Sequence, residues 1–189
     1  MASAMRAARA QLEIATHNLA NASTDGFRTS AAAVALTERG LTVTPRATHE
    51  QGAVHETGRA FDLALLGEGA FRVGDTTTRS GAFTRDRTGY LVDDRGRKLH
   101  GTHGALRVSE RATIDADGAV RDGGRIVDRI PLPRGTHLLV GALETSTVNP
   151  VGETLAILTA QRAFETAQKT MLAIDATRDK AANDVVRVR

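Results

Sequence analysis

The residues able to do chemistry are few and scattered. The imidazoles are His17, His49, His55, His100, His103 and His137. His100 and His103 form an H-x-x-H pair across Gly101-Thr102, a spacing that could bring two ligands to one metal ion, but no third ligand is evident. Asp115-Ala116-Asp117-Gly118 begins like a calcium loop and then lacks the further Asp or Asn and the terminal Glu that complete one. Asp followed by Gly is what a tight hairpin turn requires, and a turn is the expectation there. Gly67-Glu68-Gly69 lacks the remaining glycines of a phosphate loop, and no long helix follows it. Ser80-Gly81 has no evident histidine partner. Asp93-Asp94 lies in a polar turn, where solvation and not tuned acidity is the default. Arg79, Arg85, Arg87, Arg95 and Arg97 alternate with acids and read as a solvated face or an interface, not as a nucleic-acid stripe. The chain has no cysteine, which excludes disulfides, thiolate nucleophiles, Cys-ligated zinc and iron–sulfur sites. No catalytic, cofactor or metal site is expected.

Hydrophobic spacing, not chemistry, carries the stronger signal. Met1, Met5, Ala8, Leu12, Ala15 and Leu19 recur at alternating steps of four and three, the seam of a coiled-coil helix. This segment is Ala-rich and free of Gly and Pro, and it runs into the turn formers Asn21-Ala22-Ser23-Thr24-Asp25-Gly26. A second seam lies near the other end of the chain: Ile157, Ala160, Phe164, Ala167, Met171, Ile174, Ala181, Val185 and Val188, broken once at Arg178. Pro150 precedes it, and Gly152 to Ala182 contains no other Gly or Pro. A helix of roughly 30 residues, about 45 Å long, is predicted.

Between the seams the period changes. Sixteen of the 18 glycines fall within residues 40–141. Short apolar runs alternate there with turn signals, from Phe61–Leu66 and Ala70–Val73 to Ile126–Leu132 and His137–Val140. Such spacing predicts a compact antiparallel β domain. The expected fold is therefore α+β: N- and C-terminal helices forming a coiled coil, with an inserted small antiparallel β-rich domain. The expected parts are residues 1–28 for the first helix and its turn, 29–51 for a poorly patterned connector, 52–143 for the β domain, and 144–189 for the second helix.

Composition agrees with a non-enzymatic reading. The 189 residues are 41% hydrophobic and 25% charged, with a net charge of +3 and only 3% aromatics. So mild a charge, with so few stacking rings, argues against a nucleic-acid partner. No run approaches the ~18 apolar residues of a membrane span. Arg6, Arg9 and Glu13 occupy the place of a signal peptide's apolar region, so no cleaved signal is expected.

Several segments, in order, resemble the bacterial flagellar rod and hook family of axial proteins. Asn18 through Arg28 is similar to the family's NNLANxxTxGFK/R signature, just after the first helix. Gln51 through Leu65 resembles QGxxxxTGxxLDLAI, Gly67–Val73 resembles GxGFFxV, and Thr78–Phe83 resembles TRxGxF. Ala112–Gly118, Gly141–Asn149 and Gln161-Arg162-Ala163-Phe164-Glu165 continue the series, the last resembling QRAYE. Thr147 stands where the family has Asn, and the stretch from Gly118 to Gly141 is shorter than the family norm.

The resemblance implies a subunit of the flagellar basal-body rod, proximal or distal in type. Such a subunit is exported by the flagellar type III apparatus and self-assembles axially to pass torque from motor to hook. Its partners would be further copies, other rod and hook proteins, and the export apparatus. Residues expected at the assembly interface are Met5, Leu12, Asn18, Leu19, Asn21, Gly26 and Phe27 near the first helix. Toward the other end they are Leu143, Glu144, Ile157, Gln161, Arg162, Phe164, Glu165, Met171 and Ile174. Gly26 is expected in a left-handed conformation, and Arg162 and Glu165 flank the seam as partner-selecting charges. The competing expectation is a β-domain adaptor whose helices bind a different partner without polymerising.

Overall fold

A computed structural model describes residues 2–37 and 40–187. The chain divides into two units. One gathers Met1–Ala20, Thr29–Thr48 and Val148–Arg189; the other holds Asn21–Arg28 and His49–Thr147.

The first unit contains helix α1 (Ala2–Ala20), strands β1 (Ser30–Thr37) and β2 (Gly40–Ala47), and helix α2 (Pro150–Arg187). α1 stops where the turn formers begin. α2 starts at a full N-terminal cap: the Asn149 side-chain oxygen accepts the N–H groups of Val151 (3.1 Å) and Gly152 (3.2 Å). Pro150 occupies the first helical position, where its missing N–H costs nothing. Thr154, Thr159, Thr166, Thr170 and Thr177 each return their hydroxyl to the carbonyl four residues back at 2.8 Å. That satisfies these polar β-branched side chains along a 38-residue helix.

The last turn of α1 meets the first turn of α2. Asn18, 1% exposed, donates to the Glu153 carboxylate at 3.0 Å and to the Ser30 carbonyl at 2.9 Å, and its own oxygen accepts the Ser30 N–H. The two helices pack side by side and therefore run antiparallel.

The expected coiled coil is not what forms. The buried helix surface consists of small side chains, Ala8, Ala15 and Ala160, together with the polar Asn18. The larger seam residues Met5, Leu12, Leu19, Ile157 and Phe164 are only half-buried. α1 has 19 residues, half the length of α2, and also packs against the β1–β2 hairpin. From Met171 to Lys180 every α2 residue is exposed. A narrow heptad stripe records which side of a helix is apolar, and close helix approach through alanines satisfies it without knobs entering holes.

Residues 29–51, which pattern alone leaves as a connector, contain that hairpin. Its register runs from Ser30 opposite Ala47 to Thr37 opposite Gly40. Val34 and Leu36 are exposed while Val43, opposite Val34, is half-buried, so the described hairpin residues form no continuous buried face.

In the second unit the strands are short: β3 (Val54–Glu56), β4 (Leu63–Leu66), β5 (Phe71–Val73), β6 (Thr76–Thr78), β7 (Thr84–Arg85), β8 (Leu91–Val92), β9 (His100–Gly101) and β10 (Gly104–Ala105). They continue with β11 (Thr113–Ile114), β12 (Ala119–Asp122), β13 (Arg125–Arg129), β14 (His137–Val140) and β15 (Ala142–Glu144). Neighbours in sequence mostly pair as antiparallel hairpins, and two long-range pairs close the unit: β14 on β4 and β15 on β3. One core fills it, including Leu63, Phe71, Leu91, Leu99, Leu106 and Ile130. Phe71 and Phe83 meet edge to face at 5.3 Å, an arrangement favoured by the ring quadrupoles.

Candidate assembly surface and the Arg79–Glu144 lock

Within the first unit, two stretches of α2 leave apolar side chains open. At its start Val151, Leu155 and Leu158 are exposed, Leu155 to 65%. Their spacing puts them on one stripe, which continues through Arg162 and Glu165, both exposed. Beyond the reach of α1, Met171 (43% exposed) and Ile174 (37% exposed) extend the seam that Ala160 and Phe164 begin. Gln161 is exposed as well. A groove between α1, β1 and the start of α2 is walled by Ala15, Ala31, Ala156 and Ala160, with the Asn18–Glu153 pair at one end. Asn18, Ser30 and Glu153 in it bond one another, and the alanines leave a surface for packing.

The remaining expected residues belong to the second unit and gather around one buried ion pair. Arg79 and Glu144 have side chains 5% and 1% exposed, and the Arg79 Nη2 to Glu144 Oε2 distance is 2.6 Å. Arg79 Nε donates to the same oxygen at 2.9 Å. The other donors go to the carbonyls of Leu65 (2.8 Å), Gly67 and Gly69 (2.9 Å each). All five guanidinium donors are thus used, the condition under which a buried cation is tolerated. The second Glu144 oxygen accepts the Gly52 N–H at 3.1 Å. The Glu144 carbonyl accepts the Gly26 N–H.

Gly26 has φ +66° and lies beyond the end of α1, so it closes against this site and does not cap the helix. A Cβ there would come within 2.4 Å of the Arg79 backbone carbon. Phe27 accepts the Thr147 N–H through its carbonyl, and Leu143 is buried beside Glu144 in β15. Asn21 anchors the turn before them, its carbonyl accepting the Thr24 N–H at 3.1 Å.

Arg79 therefore does not belong to a solvated face, and sequence reading missed its role. A pair separated by 65 residues has no local pattern; the available signal was that each partner sits inside a motif-bearing segment. Asp93 also departs from expectation. It is buried and accepts the N–H groups of Arg95 (3.0 Å) and Arg97 (2.8 Å) and the Arg97 Nε–H (2.7 Å). Burial would raise its pKa, but these bonds outweigh it and hold the carboxyl below the ordinary value. Asp86 makes the equivalent turn through Thr88 and Tyr90. His103 pairs with Asp128 at 2.9 Å, while Asp128 also accepts the Thr102 N–H, so this imidazole fastens a turn. Among the described residues no group of three His, Cys, Asp or Glu is placed to hold a metal ion, and no helix is long and apolar enough to cross a membrane.

The two terminal helices belong to one unit, and α2 leaves apolar side chains open in it. Comparison with known sequences identifies the class. The family pattern described as flagella basal body rod protein matches residues 1–28, and that described as flagellar basal body rod FlgEFG protein C-terminal matches residues 139–184. The flagellar basal-body rod protein FlgF of Caulobacter vibrioides is 31% identical over 86% of this chain and 86% of its own. FlgF of Mesorhizobium japonicum is 27% identical over 95% and 93%, and FlgG of Bacillus subtilis 30% over 75% and 70%. The chain belongs to the flagellar basal-body rod protein family.

Proposed function

We propose that this chain is a structural subunit of the flagellar basal-body rod, without a catalytic centre, that enters the rod through its terminal-helix unit. The observation that carries this reading is the family match at both ends of the chain, joined by a relative aligned over 86% of it. The open faces of α2 support it: Val151, Leu155 and Leu158 on one stripe, Met171 and Ile174 on another, are apolar surface that a neighbour would remove from water. Its partners are further copies or other axial proteins, its route outward is the flagellar export apparatus, and its mechanical duty is to pass torque along the rod. The interface includes the half-buried and exposed α2 residues Ile157, Gln161, Arg162, Phe164 and Glu165.

The test is a deletion strain complemented with the wild-type gene, scored for swimming and for basal-body structure by electron microscopy. Non-motile cells whose basal bodies end before the hook, restored by complementation, are the expected result. Normal swimming with intact basal bodies would sink the proposal and leave the adaptor reading in its place.

A further inference from the structure

The β1–β2 hairpin has two unlike faces. Side chains two apart on a strand share a face, and so do residues directly opposite each other. The register sets Ala32 against Pro45 and Val34 against Val43, with Leu36 two positions further on, so these five form one apolar face. The other face sets Ala33 and Ala35 against Thr44 and Thr42. The base of the apolar face is covered within the chain. β2 packs on α1, and Val43 and Pro45 line a recess there with Ala10 and Ile14. Toward the tip the cover ends: Val34 is 55% exposed and Leu36 83%. A lone two-stranded hairpin is at best marginally stable in water, and this one ends in uncovered apolar side chains. α2 carries the matching surface. Its seam runs past the reach of α1 through Met171 and Ile174, which are exposed and stand three residues apart on one ridge.

We propose that the hairpin tip, through Val34 and Leu36, packs against Met171 and Ile174 of a second copy of this chain. The occupant is a helix because a helix already covers the same face at its base. A second helix laid on the tip continues the contact that α1 makes with Val43 and Pro45. It belongs to a second copy because every copy holds one uncovered apolar sheet face and one uncovered apolar helix ridge. A contact between two different patches is heterologous: each copy gives one and takes one, so the contact repeats from copy to copy. A subunit of a continuous structure needs a contact of that kind. The inference deepens the rod-subunit reading above and rests on it.

The experiment exploits the absence of cysteine from the chain. Full-length Leu36→Cys and Ile174→Cys are produced together in the deletion strain, basal bodies are isolated and oxidised, and the products are resolved without reductant. A disulfide needs Cα atoms within about 7 Å, so it reports the pairing directly. A dimer band should appear when both variants are present and be lost when either is alone. Thr44→Cys with Ile174→Cys should stay monomeric, because Thr44 lies on the other face. In parallel, purified Leu36→Asp should melt at the wild-type temperature yet be lost from basal bodies of complemented deletion cells, while Ala35→Asp is incorporated. A dimer from Leu36→Cys alone would mean that hairpin meets hairpin, and a dimer through Thr44→Cys would deny the apolar face; either overturns the proposal. So does a lowered melting temperature of Leu36→Asp, or its normal incorporation. No Leu36–Ile174 dimer in basal bodies that contain both variants overturns it and leaves the rod-subunit reading standing. Absence of the wild-type chain from basal bodies strikes that reading, and this proposal with it.

Discussion

Single residues fix the second unit through a small number of irreplaceable contacts. Glu144→Gln removes the counter-charge of Arg79 and leaves a guanidinium 5% exposed without compensation. Breaking a buried pair on one side costs roughly 3–5 kcal/mol, so guanidinium denaturation of the full chain should show a loss of that size. Arg79→Lys should approach it, because an ammonium cannot serve three carbonyls and a carboxylate in that planar geometry. Gly26→Ala should destabilise much more than Gly74→Ala. Both glycines have positive φ, a cost of roughly 1–2 kcal/mol for other residues. Only at Gly26 does the added carbon strike backbone, at Arg79, whereas Gly74 has nothing within 4 Å. The turn carboxylates set the acid limit. Asp86, Asp93 and Asp128 are held below the ordinary value by hydrogen bonds that outweigh burial. A depressed folded-state value means their contribution is complete above the unfolded aspartate value of about 3.9 and is lost as pH falls through the lower folded values. The melting temperature should hold from neutrality to about pH 5 and fall below about pH 4, with a smaller fall in Asp93→Asn.

Helix faces divide by length. α1 covers only the first half of α2, so substitutions on the two halves should behave differently. Ala160→Leu inserts volume where Ala160 is 3% exposed and the helices meet through alanines, and should cost about 1–3 kcal/mol in the free chain. Asn18→Ala leaves the Ser30 N–H unbonded and Glu153 without its amide, with a loss of about the same size. Ile174→Asp lies beyond α1 on an exposed face. It should leave the melting curve of the purified chain unchanged and abolish recovery of swimming in the deletion strain. Loss of stability in Ile174→Asp, or normal swimming, would remove this end of α2 from the proposed interface.

The whole molecule combines a unit with a continuous core and a unit whose longest element is half uncovered. Amide exchange should therefore be slowest at Leu63, Leu91, Leu99 and Leu106, whose side chains are 0–1% exposed, and fastest in α2 after Met171. The sequence was sufficient for the parts whose cause is local. Helix-forming composition and turn residues located α1; Pro150 and the seam located α2; Gly-punctuated apolar runs located a β-rich middle. The ordered motifs from Asn18 to Glu165 identified the family, because their specificity lies in residue order and needs no coordinates. Tertiary structure alone decided the rest. The same heptad stripe suits a coiled coil or an alanine-lined antiparallel contact, and the relative lengths of two separated helices, together with a hairpin packed on one, selected the second. Residues 30–37 and 40–47 became that hairpin although their described side chains form no continuous buried face. Arg79 found Glu144 across 65 residues, turning an arginine that sequence assigned to a solvated face or an interface into the centre of a buried network. Such outcomes depend on distance in space between groups distant in the chain, and periodicity measures only what lies within a few turns.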